Sequence, residues 1–160
     1  MKRFLFGLTA LTMTTFSFVT IDKAQAASDT AQALAVVTAA INIAQVADLD
    51  FGSAVQGDAQ STVAPADASA AEFTVTGQPS TAYTITLPSD GTIEMITGAG
   101  GSADERIAVD SFTSTPAAGA NGSLDGTGSE TLKVGATRAA LSATQVAGNY
   151  AATFTVDVVY

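Results

Sequence analysis

Carboxylates are the main side chains in this sequence that could bind a metal or carry out acid–base chemistry. The 160 residues include 15 Asp and Glu, but no histidine and no cysteine. Histidine is the commonest general base and the commonest transition-metal ligand, and Ser-His-Asp and Cys-His catalytic sites cannot be built without it. The sequence therefore predicts a protein that is not an enzyme and that carries no cofactor.

Calcium is the metal that the remaining ligands could hold, because it binds oxygen atoms alone. Asp104, Glu105 and Asp110 form one acidic stretch, and Asp125 with Glu130 forms another. Neither has the spacing of an EF-hand loop, so we interpret them as solvated loop side chains and keep calcium as the alternative. A glycosidase also needs two carboxylates. However, the chain has no Trp, and the alternation around its three Tyr places them at inward strand positions and not in a loop cluster. We therefore do not expect a glycosidase.

The first 26 residues have the three-part layout of a secretory signal peptide. Lys2 and Arg3 precede an apolar stretch from Phe4 to about Val19, and Ala24-Gln25-Ala26 resembles a cleavage site. We predict a signal helix at 1–26 that is cleaved after Ala26. Removing 26 of the 160 residues leaves 134, a length typical of one domain, at 27–160. The expected location is the periplasm, the cell surface or the extracellular space.

The chain from residue 27 onward is strongly acidic. Three of the 6 basic residues and one of the 15 acidic residues precede it, so 3 and 14 remain and the net charge is −11. Such a protein repels phosphate backbones and anionic lipids, so we expect no nucleic-acid binding and no membrane insertion after signal cleavage. Disulfides cannot stabilise a chain without cysteine, so stability must come from a core or from assembly.

Short apolar runs separated by Gly, Pro, Ser and Asp predict an all-β sandwich or barrel. Successive residues of a strand face opposite sides of a sheet, so alternation identifies the inward positions. These positions are Leu49, Phe51, Phe73, Tyr83 and Ile85. From Thr113 to Glu130 the chain is rich in Gly, Ser, Ala and Thr, and we predict one long surface loop there.

The last residues, GNYAATFTVDVVY from Gly148 to Tyr160, alternate as a half-buried strand requires. Threonines and Asp157 occupy one face. The other face, which we predict to close the core, consists of Tyr150, Ala152, Phe154, Val156, Val158 and Tyr160.

The uncharged segment from Ala31 to Ala47 is ambiguous. Its alanines favour helix, whereas its β-branched residues favour strand. One strand of this length would span about 56 Å, too long for a small sandwich, so we predict two strands. Alternatively, residues 27–40 form an N-terminal extension that donates a strand to another subunit, with Leu34 and Val36 as its apolar residues.

Four stretches in this order resemble a family of secreted bacterial proteins known as domain of unknown function 4402. They are LDFGSAVQG, FTVTGQPSTAYTITLP, ETLKVGATRAAL and QVAGNYAATFTVDVVY, and they extend from about Leu49 to Tyr160. More distantly, the DFG and the closing G-x-Y…V-x-V-x-Y are similar to the spore-coat-U and archaic chaperone–usher pilin group. That similarity implies an immunoglobulin-like antiparallel β-sandwich and assembly by strand donation. Pilins of that group often carry a disulfide, which this chain cannot form.

Together these features predict a non-enzymatic exported structural protein, a pilin-like or coat subunit of a fimbrium that assembles by β-strand contacts. Its partners would be further copies of itself, in a homopolymer, or a periplasmic chaperone. The alternative is a monomeric periplasmic or cell-surface module. Such a module would bind a protein or carbohydrate through its loops at 98–105 and 113–130.

Overall fold

The computed structural model of the chain describes residues 26–160, and the strands within them form two antiparallel sheets. The predicted signal peptide therefore lies, apart from Ala26, outside the described residues. The strands are β1 (Asn42–Ala47), β2 (Ser61–Val63), β3 (Ala71–Thr76), β4 (Ala82–Thr86), β5 (Ile93–Ile96), β6 (Arg106–Thr115), β7 (Gly119–Ser123), β8 (Ser129–Arg138) and β9 (Asp157–Val159). A 3₁₀ helix at Ala103–Glu105 precedes β6.

The larger sheet has the strand order β1-β3-β8-β6-β5, with β2 also paired to β8, and the smaller sheet has the order β7-β4-β9. Every pairing is antiparallel. Between β3 and β8 the register is unbroken, from Ala71 opposite Val134 to Thr76 opposite Ser129. The prediction of an all-β, antiparallel sandwich is therefore confirmed.

The core consists of alternate residues from both sheets. Val75, Leu132 and Val134 of the larger sheet and Tyr83 and Ile85 of the smaller sheet are at most 2% exposed and belong to one cluster. Their polar neighbours along each strand face outward, as the two-residue period requires. Complete burial of one such side chain contributes about 1.5–3 kcal/mol.

The predicted long loop from Thr113 to Glu130 is wrong. β6 continues to Thr115, β7 occupies Gly119–Ser123, and β8 begins at Ser129. The small residues of β7 lie opposite large residues of β4: Gly122 pairs with Tyr83, and a Cβ atom at Gly122 would overlap the Tyr83 ring. The low side-chain volume that suggested a loop is therefore what allows β7 to lie against the core.

The predicted pair of strands within Ala31–Ala47 is correct only in its second half. β1 covers Asn42–Ala47 and pairs with β3, whereas residues 26–41 contain neither helix nor strand. All nine strands of the described residues belong to one compact unit from Val36 to Tyr160, and residues 26–35 lie outside that unit. A strand needs partners for its backbone groups, and residues 26–41 pair with no strand of the described part.

Candidate functional site

The carboxylates that the sequence offered as calcium ligands do not converge. Within residues 26–160, no three acidic side chains lie close enough together to hold a metal ion. Instead two of these carboxylates close turns: Glu105 accepts hydrogen bonds from backbone N–H groups, including that of Gly101 at 2.6 Å. Asp125 accepts from the N–H groups of Ser129 (3.0 Å) and Thr127 (2.8 Å), and these bonds lower its pKa.

A groove lies between two segments outside the nine strands, residues 48–56 and residues 146–154. We call it the lateral groove. It comprises two adjoining cavities of about 610 and 280 Å³, which share a set of lining residues. The shared residues are Leu49, Phe51, Met95 and Tyr150. Ile107 and Val109 of β6 also line it, so its floor is formed by the inward face of β5 and β6.

The walls of the lateral groove lie outside the nine strands, and part of their backbone is unpaired. Residues 152–156 make no backbone hydrogen bond to another described residue, and Ala151 is joined to Ile96 by an isolated bridge. On the opposite wall, Phe51, Ser53 and Ala54 likewise make no backbone bond within residues 26–160. Unpaired backbone groups along an extended segment are a template for a further strand. The predicted continuous strand over Gly148–Tyr160 is therefore wrong before Asp157, although its alternation is present.

Several of the large apolar side chains that line the groove are only half-buried. Phe154 is half-buried, with its ring centroid 5.2 Å from that of Phe112 and 6.4 Å from that of Phe73. Leu49 and Phe51 on the opposite wall and Tyr150 are also half-buried. Leu49 and Phe154 contact the core on one side and the groove on the other, so an apolar segment placed in the groove would cover them further.

The residues predicted from the sequence for core and assembly fall into four groups. Tyr83, Ile85 and Val156 are buried in the core, and Phe73 and Val158 pack against it half-buried. Leu49, Phe51, Tyr150 and Phe154 line the lateral groove. Leu34 and Val36 lie outside any strand and are 87% and 94% exposed. Tyr160 is 45% exposed, and its hydroxyl accepts a hydrogen bond from the backbone N–H of Gln78.

Two buried polar residues at one end of the groove were missed by sequence reasoning. Arg138 and Gln145 are each only 5% exposed, and both line the larger cavity. A signal for Arg138 was present, because it continues the alternation of Leu132, Val134 and Ala136 and so falls on the inward face of β8. Gln145 lies in a segment without strand alternation, and no local pattern indicated its burial.

Gln145 connects the elements around this end of the groove. Its Nε2 group donates to the carbonyl of Asp104 (2.7 Å), the carbonyl of Arg106 (3.1 Å) and the hydroxyl of Tyr150 (3.0 Å). From the opposite wall, Gln56 donates its Nε2–H to the Gln145 carbonyl. The two walls are thus tied together at this end.

The described residues contain no helix that is long and apolar enough to cross a membrane. The family model that matches the chain, over residues 58–160, is described as Domain of unknown function (DUF4402). No curated protein and no solved structure matches the chain. The match includes the wall at 146–154 and β2 to β9, but not the wall at 48–56. The more distant similarity to spore-coat-U proteins and pilins is not part of this match and stays a prediction.

Proposed function

The chain belongs to the DUF4402 family, and we propose that it is a non-enzymatic structural subunit whose lateral groove accepts a β-strand from another copy. Export and assembly into a pilin-like filament or coat on the cell surface are part of this proposal. The observation that carries it is the run of unpaired backbone at residues 152–156 beside an apolar floor.

A strand inserted into the groove would supply backbone partners to the wall at 146–154. Its N–H and C=O groups would pair with those of residues 152–156, which have no partner in the described chain. Its alternate side chains would rest on Met95 and Val109. This is β-strand addition, in which main-chain bonds supply affinity and side-chain pockets supply specificity.

Residues 27–40 have the composition that such a donated strand needs. Leu34 and Val36 are two positions apart, so they would point to the same face of a strand, and both are almost fully exposed. Between Thr30 and Ala40 the segment carries no charge, so its insertion into a groove would bury no ionised side chain. Fourteen extended residues span about 46 Å, far more than a six-residue strand requires.

Donation from one copy to the next would produce an open chain of subunits. The donated segment and the lateral groove are different surfaces, so the contact is heterologous, and a heterologous contact that does not close into a ring builds a filament. The alternative of a monomer that binds protein or carbohydrate through its loops has less support. Most of the predicted 113–130 loop is strand, which leaves the 98–105 loop as its main candidate surface.

The first test is the oligomeric state of the predicted mature chain, residues 27–160, by size-exclusion chromatography with light scattering and by unheated SDS gels. We expect SDS-resistant oligomers from the unchanged protein and monomers from L34D/V36D, since two carboxylates would have to be buried in the groove. The matched control is S28D/T30D, which adds the same charge to the same segment outside the apolar pair. A monomeric unchanged protein, or L34D/V36D oligomers like those of the control, would contradict the proposal.

A complementation experiment tests the groove itself. Ala152 lines the groove but is exposed, so Ala152→Arg should fold normally and block strand insertion. Protein with A152R retains a donor segment, and L34D/V36D retains a groove. Mixing the two monomers should therefore give a 1:1 heterodimer, whereas neither associates alone. Failure of the mixture to associate would show that donor and acceptor are not these two surfaces.

A further inference from the structure

Arg138, the last residue of β8, is a cation buried without an anion. Its side chain is 5% exposed. Among residues 26–160 the ion pairs are Arg106–Glu94 and Lys133–Glu72, so no carboxylate oxygen of the described chain lies within 4.0 Å of the Arg138 guanidinium. A buried charge is normally paired, because burial without a partner removes hydration and returns nothing.

Most of the hydrogen-bonding capacity of this guanidinium is unused within the described chain. Nη1 donates to the carbonyl of Ala139 at 2.9 Å, and Nη2 donates to the carbonyl of Ala59 at 3.2 Å. Nε is buried with no acceptor among the described residues. A guanidinium has five N–H bonds, so three have no protein acceptor here. Two neutral carbonyls fix the position of the side chain but leave its charge uncompensated.

Arg138 also lines the larger cavity of the lateral groove. That cavity measures about 610 Å³, within the size range of small-molecule sites. Its apolar lining includes Met95, Ile107 and Leu141. The carboxylate that lines it, Asp50, accepts a hydrogen bond from the backbone of Gly52 at 2.8 Å and does not pair with Arg138. The cavity therefore presents one buried positive charge within a partly apolar wall.

We propose that this cavity is a binding site for an oxyanion, the carboxylate or phosphate group of a small molecule, and that Arg138 is its charged ligand. The parallel N–H bonds of a guanidinium match two oxygens of either group. The remainder of the molecule would contact the apolar wall. The net negative charge of the chain does not prevent this, because charges beyond about 8 Å are screened at physiological ionic strength, whereas a desolvated contact is not.

This inference does not rest on strand donation, and its test is separate. After residue 26 the sequence contains two arginines, Arg106 and Arg138. Both should give an Nε–Hε signal in a ¹⁵N–¹H NMR spectrum, and Arg106→Lys assigns them by removing one. The Nε–H of Arg106 already donates to Gly100 at 2.7 Å, and this residue does not line the cavity, so it serves as an internal control.

The probes are sodium phosphate and sodium acetate, titrated separately at constant ionic strength against sodium chloride. The L34D/V36D protein is used so that assembly does not broaden the signals. We expect a saturable shift of the Arg138 signal with at least one probe and no comparable shift of the Arg106 signal. The relative response to the two probes distinguishes a phosphate site from a carboxylate site. Linear shifts of both signals together, or no saturable shift of Arg138, would overturn the proposal.

A second measurement covers the unsubstituted mature chain. An anion that binds the folded state raises its melting temperature by mass action. We expect the more effective probe to raise Tm relative to chloride in the unchanged protein and in Arg106→Gln. Arg138→Lys keeps the charge but loses the parallel N–H bonds of the guanidinium. This variant should bind the probe at least about tenfold more weakly and show a smaller increase in Tm. An equal increase in Arg138→Lys and in the unchanged protein would contradict the role of Arg138.

Discussion

The β3–β8 region and the lateral groove have similar alternating sequences but differ in backbone pairing. From Ala71 to Thr76, every residue of β3 lies opposite a residue of β8, and β1 lies on the other side of β3. In the groove, residues 152–156 alternate in the same way but have no backbone partner among the described residues. The β3–β8 region is fully paired within one chain, whereas residues 152–156 leave their backbone groups unpaired in the described chain.

This difference separates two kinds of information in the sequence. Alternation determines which side chains face inward, because it follows from the geometry of one extended chain. Pairing depends on whether another segment reaches the backbone, and no local pattern encodes that. A segment can therefore alternate like a strand and still have no backbone neighbour, as residues 152–156 do within the described chain.

The largest expected effect is in the β3–β8 region. Leu132 is fully buried, so Leu132→Ala should lower the free energy of unfolding by about 2–5 kcal/mol, the range for deletion of a buried leucine side chain. Leu49 has the same side chain but is half-buried on a groove wall, so Leu49→Ala should cost less than half as much. Urea denaturation followed by circular dichroism measures both. Equal costs would mean that the groove wall is as well packed as the core.

The prediction from the sequence was most accurate where large alternating residues are buried, as at Tyr83 and Ile85. It failed at β7. A residue without a side chain is needed at Gly122 because the Tyr83 ring of the paired strand occupies the space, and the residues next to Gly122 in the sequence do not indicate this. The lateral groove could not be predicted, because it lies where backbone groups are unpaired, and local alternation does not indicate pairing. Arg138 was predictable in position from its parity with Leu132, but not in its lack of an ion-pair partner, which is a property of three-dimensional placement.

An intermediate effect is expected for Phe154, which belongs partly to both regions. Truncation of a buried Phe costs about 3–5 kcal/mol, but Phe154 is half-buried and packs against Phe73 and Phe112 on one side only. In monomeric L34D/V36D protein, Phe154→Ala should therefore cost about 1–3 kcal/mol, below the range for a fully buried ring. In assembled protein the cost should increase, because a donated strand covers the exposed side of the ring. The same cost in monomer and assembly would separate Phe154 from the assembly contact.

The smallest expected effect on stability is at the turn between β7 and β8. There the Asp125 side chain accepts backbone N–H groups, whereas those of residues 152–156 have no acceptor in the described chain. Asp125, between β7 and β8, accepts the N–H groups of Ser129 and Thr127, and these bonds hold its pKa below the usual value in the folded state. A pKa that is lowered by folding stabilises the protein above the unfolded pKa, about 4, and this stabilisation is lost as pH falls through the folded pKa. Asp125→Ala should therefore be less stable than the unchanged protein at pH 7, and the difference should decrease below about pH 4.

Chemical denaturation at a series of pH values measures this difference in the free energy of unfolding. The matched control is Asp67→Ala, which removes another exposed turn carboxylate whose Oδ2 accepts a backbone N–H. A difference that is constant from pH 7 to below pH 3 would show that the turn is held by the shape of the Asp125 side chain and not by its charge.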